Sequence, residues 1–496
     1  MSEENKVCEW DSTLSFLMAM IGAAIGLGNI WRYPYIAYTN GGGTFLIPYL
    51  CAIFILGLPF MFLEYSIGFK FKTSLSNTLK KIKPHFEVIG WFVALIAFLV
   101  LCYYVCIVGW DLIYIILSFF KGWGANPSTF LTVTLLHSKN NLSGLTYLAW
   151  PVVASLIIIW IMIWAISHTD LNSGIAKISK LLIPALVVMM IIVVAFSLSL
   201  PGASIGYTKL LTPQWYLLLT PNVWLAAFGQ ILFSLSLGWS VIISYASYLP
   251  KGEDLIRDGL IVVASNCSFE VFTAFGVFSI LGFMALSQGV PIGSVVTQGS
   301  GLIFVAYPTV LNIMGNYAYI LGPLFFLCIF FAGITTTISF LEPLSLAITR
   351  KFKIRRSRAS TLLCIIGFGI SLLFATGSGS YLLTIFDGFL NQFGILFGII
   401  CQCLIFGWYY KIDDLLEVIN NNSKLSLNWV WKSLIRYVIP VILFIVWITG
   451  LYGLFISGDM VSIYIQICIA LVLIIVPTIL TLLPKSDKKL PYECRK

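Results

Sequence analysis

The residues that could do chemistry in this chain of 496 residues are polar side chains set inside apolar runs. The first run contains Gly22, Gly26 and Gly28, followed directly by Asn29 and soon by Arg32. Each glycine disfavours a helix by about 1 kcal/mol relative to alanine, and an arginine inside a membrane costs at least about 2.5 kcal/mol. A glycine packing seam is the simpler alternative. Asn29 and Arg32 instead favour a helix broken at a polar cavity, because freed backbone groups need such surroundings.

The sixth apolar run repeats the pattern, with Gln230, Ser234, Ser236, Gly238 and Trp239 close together. Two interrupted hydrophobic segments in corresponding positions of two halves point to a transporter site at the interface of an inverted repeat. The sequence therefore predicts a site between two halves of five spans each. The halves share no clear sequence identity, so this prediction depends on the order of the breaks.

Composition places the elements that position these residues in a membrane. Apolar residues make up 59% of the chain and charged residues 10%, against roughly 25% charge in soluble domains. The runs do not alternate apolar and polar residues as outer-membrane strands do. The expected fold class is an all-α polytopic membrane protein with 12 transmembrane helices, at about 20 residues per crossing. The predicted spans lie near 12–36, 44–68, 87–119, 148–167, 176–200, 222–249, 257–286, 318–349, 359–376, 381–410, 434–456 and 460–483.

Lysine and arginine predict the orientation of the chain. With the N-terminus placed in the cytoplasm, 25 of the 29 basic residues lie in the tails and cytoplasmic loops, and only Lys121, Lys139 and Lys209 lie outside. This asymmetry predicts a multi-pass protein of the cell membrane with both termini cytoplasmic. The net charge of +9 is explained by these loops, so no nucleic-acid partner is expected.

An enzyme is not expected. The three histidines, His85, His137 and His168, lie near loops without metal-ligand spacing, and the sequence holds no CxxC pair and no nucleophile elbow. The external loop 287–317 is uncharged and rich in Gly, Ser and Pro, and it could fold back as a lid.

Motifs of the broken runs resemble those of the neurotransmitter:sodium symporter family. The matching segments are 26–35, 40–49, 103–104, 230–248 and 332–336, in register over about four-fifths of the chain. The resemblance implies the LeuT fold, a 5+5 inverted repeat with broken helices 1 and 6 and two peripheral helices. It also implies sodium-coupled uptake of amino acids or related amines. A transport-inactive amino-acid sensor on the same fold is the alternative.

This resemblance divides the chain into four parts. They are a cytoplasmic N-terminal tail (1–11), a transporter core (12–410), peripheral helices 11 and 12 (411–484) and a cytoplasmic tail (485–496). The sequence does not indicate an oligomeric state.

The family resemblance also implies two sodium sites. The first would use the Ala24 carbonyl, Asn29, Ser234, Asn266 and the substrate carboxylate; the second would use the carbonyls of Gly22, Ile25 and Ala332 with the hydroxyls of Thr335 and Thr336. Oxygen ligands without fixed charge suit a weakly held, hard monovalent cation. For the threonines, hydrogen bonds to the preceding helical turn are the alternative.

The substrate site implied by the resemblance lies beside these ions. Its residues would be Ala23, Gly26, Gly28, Val100, Tyr104, Phe233, Ser236, Trp239, Thr336 and Phe340. The monoamine branch of the family has aspartate where this chain has Gly26, so Gly26 favours a neutral amino acid that brings its own carboxylate. Trp239 and Phe340 either fill space around a small substrate or form an aromatic wall for a large one.

Gates are implied at both ends of the path. Arg32 and Asp387 match the outer pair, and Trp10 and Tyr248 match the inner gate. The inner ion pair of the family is absent, because Val7 and Arg350 stand at its positions. A charge-swapped contact of Arg350 with Glu9 or Asp11 is one replacement.

Glu270 stands where chloride-dependent members of the family carry serine. It lies four residues after Asn266 and so on the same helical face, which should point towards Tyr49, Gln230 and Ser234. The carboxylate would supply the charge that chloride supplies elsewhere, and would take up a proton when sodium leaves. A neutral glutamate that serves packing alone is the alternative.

Overall fold

The computed structural model describes residues 9–296, 299–457 and 459–486. Residues 1–8 of the predicted N-terminal tail and 487–496 of the C-terminal tail lie outside the described residues. Regular structure in the described part is almost entirely helical, apart from one isolated β-bridge between Leu148 and Thr376. Helices satisfy their backbone groups internally, which is what a lipid surrounding requires.

The helices follow the predicted spans closely. They are α1a (Thr13–Ala24), α1b (Leu27–Thr39), α2 (Gly42–Phe71), α3 (Pro84–Ser118), α4 (Trp150–His168), α5 (Asn172–Leu198), α6a (Pro221–Ser234), α6b (Val241–Ala246), α7 (Leu255–Gln288), α8 (Gly315–Phe352), α9 (Arg356–Ala375), α10 (Gly379–Tyr409), α11 (Trp429–Leu454) and α12 (Met460–Leu482). Ten of the helices in the described residues are long and apolar enough to cross a membrane unbroken. Helices 1 and 6 are each divided into two halves.

The centre of the bundle is α3, which packs against α4, α8, α9 and α12. Most of its residues from 90 to 111 are buried. By contrast, α11 and α12 leave most of their apolar side chains exposed. A mostly exposed apolar helix is suited to contact with lipid tails, so these two helices lie at the periphery of the bundle.

The first break lies between α1a and α1b. The N-terminal end of α1a is capped by Ser12, whose side chain accepts a hydrogen bond from the Ser15 N–H. The helix ends where Ile25 and Gly26 adopt extended backbone conformations, and the axis turns by 51°. This break turns the carbonyls of the last α1a residues away from a continuous helix and leaves them available to other partners.

The second break separates α6a from α6b and contains left-handed residues. Ser236, Gly238 and Ser240 have φ angles of 51°, 79° and 64°. A Cβ atom on Gly238 would lie 2.1 Å from the Ile399 side chain, so this position requires glycine for space as well as for conformation. The Gly238 N–H donates a hydrogen bond of 3.2 Å to Oε2 of the buried Glu64.

The long loop between α7 and α8 folds back over the bundle. Its short apolar helix runs over Leu302–Ile313, and Gly299 and Ser300 line the central cavity. The predicted lid position of this loop therefore agrees with the structure.

Candidate functional site

The polar side chains predicted for the first ion site meet between helices 1, 6 and 7. The Asn29 amide donates to Asn266 Oδ1 at 2.8 Å, and the Asn266 amide donates to Ser234 Oγ at 2.5 Å. Asn29 Oδ1 accepts from the Gly26 N–H at 3.0 Å. All three side chains are buried. The cluster is neutral and rich in oxygen, which fits a monovalent cation that receives its negative charge from another group.

The second predicted ion site lies where α8 meets the end of α1a. Thr336 Oγ1 lies 3.5 Å from the Gly22 carbonyl oxygen, 3.4 Å from that of Ile25 and 3.0 Å from that of Ala332. Thr335 Oγ1 donates to the Ala332 carbonyl at 3.1 Å and to the preceding turn of its own helix. The Thr336 hydroxyl therefore meets all three predicted carbonyls, whereas both Thr335 bonds lie within α8, as in the alternative.

Close approach at this site depends on glycine. A Cβ atom on Gly26 would lie 3.0 Å from Thr336 Oγ1 and 3.1 Å from the Tyr104 hydroxyl. On Gly22 it would lie 3.1 Å from Thr335 Cβ. The described residues hold no group of three or more His, Cys, Asp or Glu side chains that could bind a metal ion, so the chemistry here is that of neutral oxygen donors.

A cavity of about 540 Å³ lies beside the two predicted ion sites. All ten predicted substrate residues line it. The Tyr104 hydroxyl accepts a 3.0 Å hydrogen bond from the Leu27 N–H at the start of α1b. The Trp239 and Phe340 rings lie 5.2 Å apart, and Phe340 meets Tyr104 edge-on at 6.2 Å. The cavity is therefore lined by polar groups of the broken helices and by the aromatic rings of Tyr104, Trp239 and Phe340.

Arg32 and Asp387, the predicted outer gate, both line this cavity but do not form an ion pair with each other. The Arg32 guanidinium lies 4.4 Å above the Phe233 ring, while Asp387 accepts hydrogen bonds from Tyr103 at 2.7 Å and from Asn391 at 2.9 Å. Among the ion pairs of the described residues, none links Arg32 to Asp387. The predicted outer ion pair is therefore not formed in this structure.

The inner gate is closed around Trp10. Its backbone N–H donates to the Tyr248 carbonyl at 3.0 Å and its indole N–H to the Tyr245 carbonyl at 2.9 Å. Tyr248 also donates its hydroxyl to Glu342 Oε1 at 2.8 Å, and Arg356 pairs with Glu342 Oε2 at 2.9 Å. Glu342 thus connects a gate tyrosine to an arginine at the start of α9.

The predicted contact of Arg350 with Glu9 or Asp11 is wrong. Asp11 pairs instead with Lys180 at 3.2 Å. The Nε and Nη2 atoms of Arg350 are buried without a hydrogen-bond partner in the described residues. The ion pair that lies beside the inner-gate tyrosine Tyr248 joins Glu342 and Arg356, which are 14 residues apart on consecutive helices.

Glu270 is fully buried and bonded as its helical face predicts. It accepts hydrogen bonds from the Tyr49 hydroxyl and, at 2.7 Å, from the Gln230 amide. Asn266, one turn earlier, belongs to the first ion site. The carboxyl group therefore lies next to the predicted ion ligands and is not one of them.

Sequence reasoning missed Glu64, Asn172, Lys180 and Arg356. A signal existed for Glu64, since it is a carboxyl group in an otherwise apolar run. Asn172 and Arg356 begin their helices and Lys180 lies two turns into α5, so nothing local in the sequence indicates their partners.

Two broken helices with converging oxygen donors, inside a bundle of twelve spans, define a secondary transporter of the inverted-repeat type. Comparison with known proteins agrees: the Sodium:neurotransmitter symporter family matches residues 8–132 and 124–485. An uncharacterized sodium-dependent transporter of Methanocaldococcus jannaschii is 38% identical over 434 residues, which cover 88% of each chain. The chain therefore belongs to this family, as the sequence predicts.

Two animal relatives extend the comparison. A sodium-dependent serotonin transporter of Drosophila melanogaster is 28% identical over 477 residues, covering 90% of this chain and 76% of its own. A sodium- and chloride-dependent creatine transporter of Bos taurus is 29% identical over 474 residues, covering 85% and 74%. The family establishes a LeuT-like fold, sodium dependence and a transporter rather than an enzyme.

Proposed function

We propose that this protein is a sodium-coupled symporter that takes up a neutral amino acid by alternating access, without chloride. The observation that carries the proposal is the neutral first ion site beside Gly26. Asn29, Ser234 and Asn266 supply no formal charge, and Gly26 carries no side chain that could supply one. A substrate carboxylate is the group that would complete this site and meet the amides at the start of α1b.

Two sodium ions are proposed. The first would bind at the asparagine cluster and contact the substrate. The second would bind among the carbonyls of Gly22, Ile25 and Ala332 and the two threonine hydroxyls, where it would hold α1a against α8. Sodium would thus contribute both a direct contact to the substrate and a contact between moving helices.

The aromatic side of the cavity supports a small substrate. Trp239 and Phe340 are almost completely buried, at 1% and 6% exposure, and they occupy the volume that a larger side chain would need. We propose that they fill space rather than form a wall for an aromatic amino acid.

Glu270 supports independence from chloride. Its carboxylate would balance the positive charge of the first sodium ion without contacting the ion. When sodium leaves, a buried charge without a counterion is costly, so proton uptake by Glu270 would accompany the return step. A proton would therefore be carried in the direction opposite to sodium in each transport cycle.

The orientation and domain division also remain proposals. The excess of basic residues in one set of loops supports a cell-membrane protein with cytoplasmic termini. The exposed faces of α11 and α12 support the assignment of 411–484 to peripheral helices.

Binding to purified protein tests the substrate class. We expect alanine or another small amino acid to raise the melting temperature in sodium but not in potassium, and ethylamine, which lacks the carboxylate, to have no effect. A matched Gly26→Asp variant should lose amino-acid binding. An amine that stabilises the unmutated protein better than the amino acids would contradict the proposal, while binding without accumulation in vesicles would identify a sensor.

A further inference from the structure

The segment before α1a closes the cytoplasmic side by inserting Trp10. Its indole ring packs against Phe16, Tyr245 and Tyr248, with ring centroids 6.1, 5.4 and 6.3 Å away. Only 4% of Trp10 is exposed, although the residues on either side, Glu9 and Asp11, are exposed. Trp10 is therefore a single buried side chain between two residues that are exposed to solvent.

Asn172 forms hydrogen bonds with the backbone on both sides of Trp10. Its amide Nδ2 donates to the Glu9 carbonyl at 2.9 Å, and its Oδ1 accepts from the Asp11 N–H at 3.1 Å. One side chain thus satisfies a donor and an acceptor that bracket Trp10. Asn172 begins α5, so these two hydrogen bonds join the N-terminal segment to α5. The Trp10 ring itself contacts α1a and α6b.

Lys180, two turns further along α5, strengthens the same junction. Its ammonium lies 3.2 Å from Asp11 Oδ2 and 3.3 Å from Oδ1. Partial burial raises the pKa of Asp11, but hydrogen bonds from Ser15 and Lys180 outweigh it and hold the pKa below its usual value. Asp11 is therefore ionised at neutral pH, although both side chains are partly exposed and salt screens such pairs.

We propose that Asn172, assisted by Lys180, is a latch that keeps the cytoplasmic gate closed by holding Glu9 and Asp11. It replaces the inner ion pair that this chain lacks at Val7 and Arg350. The proposal rests on the proposed function, because a latch has meaning only in a protein that opens inward. Release of the ion and substrate requires Trp10 to leave its pocket, and the two hydrogen bonds of Asn172 must break first.

Hydrogen–deuterium exchange of the purified full-length protein, followed by mass spectrometry, tests the latch without relying on transport. In Asn172→Ala, peptides covering residues 9–16 should exchange at least about tenfold faster, which corresponds to about 1.4 kcal/mol. Peptides from the centre of α3 should not change. Lys180→Met should accelerate exchange in the same peptides by about threefold at low salt and less at high salt.

Ser173→Ala is the matched control. Its hydroxyl is exposed and bonds the Asp170 carbonyl, so exchange of residues 9–16 should remain as in the unmutated protein. Asn172→Asp keeps the acceptor, loses the donor and repels Asp11, and it provides the test if the alanine variant does not fold.

Unchanged exchange of residues 9–16 in the Asn172 variants would overturn the latch, even if transport is sodium-coupled. Failure of sodium-driven accumulation, with faster exchange still seen, would instead count against the proposed function. The two failures are therefore distinguishable.

Discussion

Replacing Glu270 by serine should convert a chloride-independent transporter into a chloride-dependent one. The substitution removes the acceptor of two buried donors, the Tyr49 hydroxyl and the Gln230 amide. Each buried donor left without a partner costs about 1 to 3 kcal/mol, so the variant loses about 2 to 6 kcal/mol in the absence of an anion. A chloride ion in the vacated space would accept from the same donors and restore the charge beside the first sodium site.

Uptake in proteoliposomes measures this effect. With chloride replaced by gluconate, Glu270→Ser should lose at least tenfold in sodium-driven uptake, since about 1.4 kcal/mol corresponds to a factor of ten. Restoring chloride should recover most of the activity. Glu417→Ser, at an exposed position between α10 and α11, should behave like the unmutated protein in both media.

Two results would refute this reasoning. If uptake by the unmutated protein collapses in gluconate, the carboxyl group does not replace chloride. If Glu270→Ser transports equally well with and without chloride, the carboxyl group serves packing alone.

Four further variants test other parts of the proposed function. Asn29→Ala or Thr335→Ala should weaken sodium activation and uptake together by at least about tenfold, because each removes an oxygen donor from an ion site; sodium titrations of uptake will show whether both shift. Phe340→Ala should broaden selectivity towards larger side chains, and competition assays in which tryptophan already outcompetes alanine and glycine in the unmutated protein would contradict the small-substrate proposal. Glu342→Gln should favour the inward-open form, because it removes the ion pair with Arg356 while keeping an acceptor for the Tyr248 hydroxyl; faster hydrogen–deuterium exchange of residues 9–16 will measure it.

The broken helices could be predicted from the sequence because their cause is local. Three glycines within seven residues and the polar cluster around Gly238 oppose a continuous helix wherever the chain folds. The face of Glu270 was predictable for the same reason, since a spacing of four residues fixes a helical direction.

Contacts at the cytoplasmic gate could not be predicted in this way. Asn172 meets Glu9 across 163 positions of sequence, and nothing in an asparagine at the start of a helix indicates its partner. The prediction for Arg350 was wrong because it considered charges near the gate by position alone, whereas Lys180 is placed against Asp11 by the packing of α5 on α1a.

We propose that a sodium gradient drives the accumulation of a small neutral amino acid through this protein. The most direct measurement is the uptake of labelled alanine into proteoliposomes with an inward sodium gradient, compared with an equal potassium gradient. The account predicts transient accumulation above the external concentration in sodium and only passive equilibration in potassium. Equal accumulation with the two cations, or none with any small neutral amino acid, would contradict it.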